Sequence, residues 1–318
     1  MAADTIETSA EAAAGRKGRA GMDPRHTDWS CAGLRWSTSG PALLWRHPAR
    51  GERLSALPPQ KRLAFATGAR RLCTGVRRGG RRTPCPAAAE VPVAAVSAQC
   101  PECARLDRSH SVAADTVLDD PRPYDVYLAW FGPHLVKVGI TAAEREGVRL
   151  LEQAALSYAL LGRGPLMAAR RAEAVLGAAL SVPDRFPYAA KRAARHPLPS
   201  QQRRTAELAE LHARACALEG LPESLAVRAF APVHHDAAFH LERLRPCDGT
   251  VELAAGCTVA GSVLAVVGPD VYLEEGDGRL LLVDGRQLAG WALTAAAPDA
   301  ATTAAIRARQ PDGPQALF

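Results

Sequence analysis

The chain has 318 residues, 47% of them hydrophobic, and a formal net charge of +6, so it is long and apolar enough for two domains. The charge is uneven, because residues 1–110 hold 18 Lys and Arg against 9 Asp and Glu, while the remainder holds 21 against 24. No apolar stretch reaches the ~18 residues of a membrane-spanning helix, and the N-terminus lacks the apolar segment of a signal peptide. We therefore expect a cytoplasmic protein with a basic N-terminal third.

Two stretches are rich in basic residues and contain no acid: Lys61–Arg82 holds eight, and Arg185–Arg204 holds six. Concentrated positive charge attracts polyanions, and nucleic acid is the commonest polyanion in a cell. The alternative is that both stretches are solvated basic surfaces. The predicted partner is nucleic acid, either DNA or RNA, and no association with a membrane is expected.

Four of the eight cysteines have the spacing of a zinc site. Cys73, Cys85, Cys100 and Cys103 form the pattern C-x11-C-x14-C-x2-C, which ends in a C-x2-C turn, and Gly75 can supply the turn that a ligand loop needs. Four thiolates complete a tetrahedral zinc shell, so this site is predicted to be structural. His110 could replace one cysteine. A redox role is disfavoured because no βαβ pattern surrounds the C-x2-C. The other cysteines are predicted to be small buried hydrophobes: Cys31, Cys216, Cys247 and Cys257.

The segment that follows reads as a β-hairpin, with strands Tyr124–Trp130 and Leu135–Ile140. Alternation predicts one apolar face, and a register in which Tyr127 lies opposite Gly139 and Ala129 opposite Lys137. Thr141 and Glu144 form a capping-box pattern, which predicts a helix to about residue 161.

Two more helices are predicted, over about 165–180 and 201–218. Glu173 falls inside the apolar stripe of the first of these helices, where a carboxylate needs a partner or a cation. From residue 251 to 294 short strand-like runs alternate with glycine turns, as in a β-meander.

The hairpin motifs Val126-Tyr-Leu and Val136-Lys-Val-Gly-Ile-Thr141, followed by Arg149 and Glu173, resemble the core of GIY-YIG nucleases. The whole chain, from about Trp36 to Trp291, resembles an uncharacterised bacterial family in which a cysteine metal site precedes such a core and a short β segment follows it. The resemblance implies that Tyr127 assists proton removal from the attacking water, that Arg149 stabilises phosphate charge, and that Glu173 holds Mg2+ or Mn2+.

The sequence departs from the GIY-YIG pattern at two positions. Asp125 replaces the glycine of the first motif, and Lys137 replaces the second tyrosine, as in some phage-type relatives. An ammonium group there can grip phosphate without cleaving it. Each residue also has a plain reading, in which Tyr127 is a strand aromatic, Lys137 an edge charge, and Arg149 a solvated side chain or, like Arg170, an ion-pair partner of Glu173.

Other candidate chemistry is weaker. His234, His235 and His240 offer three imidazoles but lack a helical i, i+4 pair. The chain has no P-loop, G-x-G-x-x-G or G-x-S-x-G motif.

We predict an α+β protein with a zinc-stapled β-rich N-terminal module, a small GIY-YIG-like α/β core and a C-terminal β-meander. The expected boundaries are 1–28 for a disordered leader, 29–114 for the zinc module, 115–245 for the core with its helical extension, 246–296 for the β segment and 297–318 for a loose tail. The expected function is metal-dependent cleavage of nucleic acid by Tyr127, Lys137, Arg149 and Glu173. The alternatives are nucleic-acid binding without cleavage and a zinc-stabilised scaffold for protein interaction.

Overall fold

The computed structural model describes residues 29–47, 49–78, 81–108, 120–183 and 185–308. The predicted leader and His110 lie outside these residues. No helix in the described ranges is both long and apolar enough to cross a bilayer.

The described residues begin with four strands, β1 (Ser30–Ser37), β2 (Gly40–His47), β3 (Gly51–Ala56) and β4 (Arg62–Arg71), of which the first three form an antiparallel meander. Strands β1 and β2 form a hairpin, because they pair from Ser37 and Gly40 outward.

A small unit with its own apolar cluster follows β4. It contains β5 (Val76–Arg78), β6 (Arg81–Thr83) and α1 (Pro101–Arg108), and the cysteines lie at its centre. The buried guanidinium of Arg71 ties the unit to the sheet, since it donates hydrogen bonds to five backbone carbonyls, those of Pro92, Val93, Ala95, Arg286 and Ala289.

The next strands are β7 (Tyr124–Trp130) and β8 (Val136–Ala142), and their register is the predicted one. Tyr127 pairs with Gly139, and Ala129 with Lys137. Both faces of β7 are buried, and not only the face that alternation predicts to be apolar. The second face is covered by a separate apolar cluster that includes Tyr127, Phe131 and Leu150.

The long helix predicted from Thr141 to about residue 161 is absent. In its place the structure has a single 3-10 turn, then α2 (Val148–Glu152) and β9 (Ser157–Gly164), which pairs with β7. Glu146 and Gly147 both have positive φ, which ends any helix there. Thr141 is the penultimate residue of β8, and its side chain caps no helix.

The helices α3 (Leu166–Leu180) and α5 (Gln201–Cys216) agree with prediction, and a short α4 (Tyr188–Ala193) lies between them. The pair α3 and α5 packs on the sheet of β7, β8 and β9. Two short strands extend this sheet, β10 (Ala226–Val227) and β11 (Pro232–His234), and α6 (Asp236–Phe239) follows them.

The C-terminal part contains β12 (Gly249–Glu252), β13 (Thr258–Val267), β14 (Asp270–Glu274), β15 (Leu280–Asp284), α7 (Gly285–Leu288), β16 (Trp291–Ala295) and β17 (Ala305–Ala308). The predicted meander is confirmed in β13–β14–β15. The described part of the predicted loose tail is not loose throughout, because β17 pairs with β12.

The strands of both chain ends share one ten-stranded sheet, in the order β17-β12-β15-β14-β13-β4-β16-β1-β2-β3. Strand β4 lies between β13 and β16, so the segments expected as separate N-terminal and C-terminal modules pair directly with each other. The residues between them form the smaller sheet of β7–β9 and its helices, and one apolar core joins the two sheets.

Candidate functional site

The four predicted metal ligands come together in the unit after β4. Their sulfur atoms all lie within 4.8 Å of one another, and Cys85 Sγ lies 3.9 Å from Cys100 Sγ. A tetrahedral zinc ion with Zn–S bonds of about 2.3 Å needs sulfur atoms about 3.8 Å apart. The four cysteines, Cys73, Cys85, Cys100 and Cys103, can therefore hold one metal ion such as zinc.

The backbone around the cysteines is arranged for thiolates. The amides of Gly75 and Cys100 donate to Cys73 Sγ, at 3.4 and 3.2 Å. Gly75 has a φ of +76°, and a Cβ at this position would lie 2.9 Å from the amide nitrogen of Cys85. The predicted turn role of Gly75 is thus explained, since only glycine fits both the backbone angle and the close approach.

Protonation of the cluster is uneven. Burial acts to raise the pKa of Cys85, but hydrogen bonds from the amides of Ala89 and Ala87 lower it to about 7. Burial raises the pKa of Cys73 and of Cys103, and hydrogen bonds from the other thiols add to the effect at Cys103. A metal must therefore displace protons when it binds, as is usual for thiolate sites.

The second predicted site is centred on Tyr127 in β7. Its side chain is about 1% exposed and lies over Gly139 of β8, where a Cβ would overlap the phenol ring. The Nζ atom of Lys137, also on β8, lies 5.7 Å from the centre of the ring. The Tyr127 ring can occupy this position because Gly139 has no side chain.

The charges of Arg149 and Glu173 influence the pKa of the Tyr127 hydroxyl. Burial is the main cause of its raised pKa. A hydrogen bond from Gln153 and the nearby charge of Arg149 act to lower the pKa, while the charge of Glu173 acts to raise it. The structure therefore brings Tyr127, Lys137, Arg149 and Glu173 into one neighbourhood.

The arginine in this neighbourhood has a fixed partner. Glu152 on α2 accepts from Arg145 at 2.8 Å and lies 3.5 Å from Arg149. The charge of Arg145 also reaches Tyr127. Arg149 thus has an ion-pair partner on its own helix, Glu152.

Sequence reasoning missed two residues of this neighbourhood. Gln153 donates a 3.0 Å hydrogen bond to the Tyr127 hydroxyl. Lys191, which is about 5% exposed, donates to the backbone carbonyl of Gln153 at 3.0 Å, and its Nζ lies 3.7 Å from the ring centre of Phe131. Burial, with the charges of Lys137 and other cations, lowers the pKa of Lys191 to about 7. No sequence pattern marks these positions, because they depend on how α2 and α4 fold over β7.

The histidine candidate, already disfavoured by the sequence, gains no support, and one cysteine prediction is wrong. His234 is bonded to Ser157 and Thr205, and His235 to the carbonyl of Ala155, so these imidazoles serve the packing of β11. The cysteine cluster is the one metal-ligand group of three or more residues within the described ranges. Cys216 is exposed and not buried as predicted, because it faces outward at the end of α5.

A model of a protein family of unknown function, DUF2797, matches residues 61–293, close to three quarters of the chain. The chain belongs to this family. The DUF2797 match begins at the start of β4, spans the cysteine cluster and the Tyr127 neighbourhood, and ends in β16. Comparison with curated proteins and with solved structures gave no match. The resemblance to an uncharacterised family thus agrees with the DUF2797 match, and the GIY-YIG part of that resemblance stays a prediction.

Proposed function

We propose that this DUF2797 protein binds nucleic acid and hydrolyses its phosphodiester bonds at the Tyr127 neighbourhood, as a GIY-YIG-like nuclease, and that its cysteine cluster holds a structural zinc ion. The observation that carries the proposal is that a tyrosine, two cations and a carboxylate lie near one another. Lys137 Nζ is 5.7 Å from the centre of the Tyr127 ring, and Arg149 and Glu173 are near enough for their charges to act on the pKa of the Tyr127 hydroxyl. A phosphodiester with a bound cation needs this combination of groups.

Each residue has a role in this proposal. Arg149, whose side chain is 48% exposed, and Lys137 stabilise the negative charge on the phosphate oxygens. Tyr127 stays neutral because its pKa is raised, and Gln153 donates to its oxygen, which leaves the phenol proton for donation. We therefore assign Tyr127 as a hydrogen-bond donor to a phosphate oxygen, and not as a phenolate base.

The reaction itself is a hydrolysis. The oxygen of water bonds to phosphorus, the bond from phosphorus to the bridging oxygen breaks, and the proton released by the water balances the one taken up by the leaving oxygen. Positive charge near the departing oxygen lowers the barrier. Lys137 and Arg149 supply part of that charge.

The half-buried carboxylate of Glu173 is the proposed ligand for Mg2+ or Mn2+. A single carboxylate suits Mg2+, which keeps several waters and takes other ligands from substrate phosphates. Bound there, the cation would neutralise charge on the leaving group.

Cleavage of labelled DNA and RNA with Mg2+ or Mn2+ tests the proposal, with wild type beside Glu173→Gln. We expect wild type to cut, and Glu173→Gln to lose cleavage by at least ~100-fold while keeping its affinity for the substrate. The matched control is Glu210→Gln, the same change on the exposed face of α5. Equal cleavage by Glu173→Gln and the control would contradict the assigned role of Glu173.

One observation favours a second candidate, nucleic-acid binding without cleavage. Tyr127 is about 1% exposed and its hydroxyl is already held by Gln153, so a phosphate meets the two cations before it meets the tyrosine. Binding by both wild type and Glu173→Gln with no cleavage by either would establish this candidate and remove the nuclease.

A further inference from the structure

Four arginines lie close together where the cysteine unit meets the large sheet, and we name them the arginine cluster: Arg35, Arg46, Arg77 and Arg82. Arg77 and Arg82 pair across the hairpin of β5 and β6. Arg35 and Arg46 lie on the neighbouring strands β1 and β2. Like charges brought together in this way repel each other unless an anion lies between them.

The charges of the four side chains interact. Burial lowers the pKa of Arg82, and the charges of Arg46, Arg35 and Arg77 add to this effect. Burial also lowers the pKa of Arg35, with contributions from Arg77 and Arg46. The cluster is therefore a place where positive charge is concentrated at a cost in free energy.

The carboxylates near the cluster do not use all of its donors. Glu52 accepts a hydrogen bond from Arg46 Nε at 2.5 Å. Asp107 accepts from the backbone amide of Arg77 at 2.6 Å and from the side chain of Gln99. Within the described part of the chain, Arg46 Nη1 and Arg82 Nε are buried and have no acceptor. A buried guanidinium nitrogen without an acceptor is costly, and an anionic oxygen would remove that cost.

There is room for such an anion beside Arg82. A cavity of about 250 Å³ lies between β1 and the cysteine unit, and its polar lining consists of Thr74, Arg82, Ser97, Gln99, Arg286 and one carboxylate, Asp107. Asp107 already accepts from the Arg77 amide and from Gln99, so two donors offset part of its charge. Arg82 Nη1 is bonded to the carbonyl of Thr74 at 2.8 Å, which fixes the guanidinium at the cavity wall.

The arginine cluster lies near the Tyr127 neighbourhood. The charge of Glu152 reaches Arg35, and Glu152 is the carboxylate that pairs with Arg145 and Arg149. Helix α2 also packs against β1. An extended polyanion bound at Arg149 would therefore have Arg35 and the other cluster arginines close by.

We propose that the arginine cluster binds the phosphate backbone of the nucleic acid whose phosphodiester lies at Tyr127, so that the cysteine unit forms part of the nucleic-acid interface. This rests on the proposed function. It adds that unit to the substrate-binding surface, next to α2.

Fluorescence anisotropy with labelled 20-nucleotide single-stranded DNA, single-stranded RNA and duplex DNA tests the proposal, without added Mg2+ and over a series of salt concentrations. We expect the double variant Arg35→Gln/Arg77→Gln to bind ~10-fold or more weakly, and its salt slope to fall by about 0.7–0.9 for each lost phosphate contact. The double variant Arg35→Lys/Arg77→Lys keeps the charge, and is expected to keep most of the affinity.

The matched control is Arg214→Gln/Arg279→Gln, which removes two charges from exposed positions elsewhere. If wild type binds and the cluster variant retains the affinity and slope of the control, the inference is overturned and the proposed function stands. If wild type binds none of the three probes, the proposed function fails together with the inference. Thermal unfolding of each variant separates loss of binding from loss of fold.

Discussion

The ammonium group of Lys191 donates a 3.0 Å hydrogen bond to the backbone carbonyl of Gln153. The side chain of Gln153 in turn holds the hydroxyl of Tyr127. A buried cation thus supports the segment that fixes the central tyrosine, although burial and neighbouring positive charges oppose its charged form.

Lys191→Met is expected to stabilise the protein at low pH and not at high pH. The pKa is about 7 in the folded state against an ordinary value of 10.5, so between these values the unfolded chain binds more protons and the free energy of unfolding rises with pH. Below pH 7 the whole penalty of the buried charge is present. We therefore expect a Tm gain of ~2–4 °C at pH 6 that fades toward pH 10.

Differential scanning fluorimetry across this pH range measures the effect. Lys61→Met is the control, since Lys61 makes an exposed hydrogen bond to Ala56 and its substitution should give no pH-dependent difference. A Lys191→Met protein that is less stable than wild type by the same amount at every pH would contradict the prediction.

Metal analysis of the purified protein is expected to give one zinc ion per chain. Cys85→Ser should abolish this content and lower Tm strongly, because a structural zinc site contributes its binding free energy to folding. Cys216→Ser is the matched control, as Cys216 is exposed and distant in sequence from the cluster. Full zinc content in Cys85→Ser would remove this residue from the ligand set.

Gly139→Ala tests how tightly Tyr127 is held. The new methyl group would overlap the phenol ring, which cannot swing away because it is buried and bonded to Gln153. We expect a loss of ~1–3 kcal/mol in the free energy of unfolding, measured by urea denaturation. Gly177→Ala on α3 is the control, since its nearest neighbour would be 3.5 Å away and alanine favours helix. Equal stability of the two variants would show that the ring moves freely.

The local patterns in the sequence predicted much of what is local in the fold. The cysteine spacing predicted a cluster, and alternation predicted the register of Tyr127 with Gly139, because both depend on residues close together along the chain. The false helix after Thr141 arose from a capping-box pattern, which is a local signal. Residues 157–164 instead form β9 because they pair with β7, and the sequence does not display that pairing.

The basic run from Arg185 to Arg204 illustrates why the charges were harder to interpret. Arg192 and Arg195 pair with Asp270, and Arg204 pairs with Asp236. These acids lie on later elements, so three of the six basic residues of a run that looks unpaired in the sequence have carboxylate partners in the fold. The arginine cluster beside the cysteine unit is the reverse case, because it gathers cations from three separate parts of the chain.

The place of β4 in the large sheet has a consequence for synthesis of the protein. Both strands that pair with β4 belong to the C-terminal part. During synthesis the two edges of β4 therefore stay unpaired until residues 258–295 have been made. Open strand edges invite association with other chains. The cysteine unit directly after β4 closes within residues 73–103, and Arg71 at the end of β4 bonds into it. If the cluster holds the proposed zinc ion, cells starved of zinc are expected to lose this protein to aggregation while it is being translated, before any finished molecule exists to be inactivated.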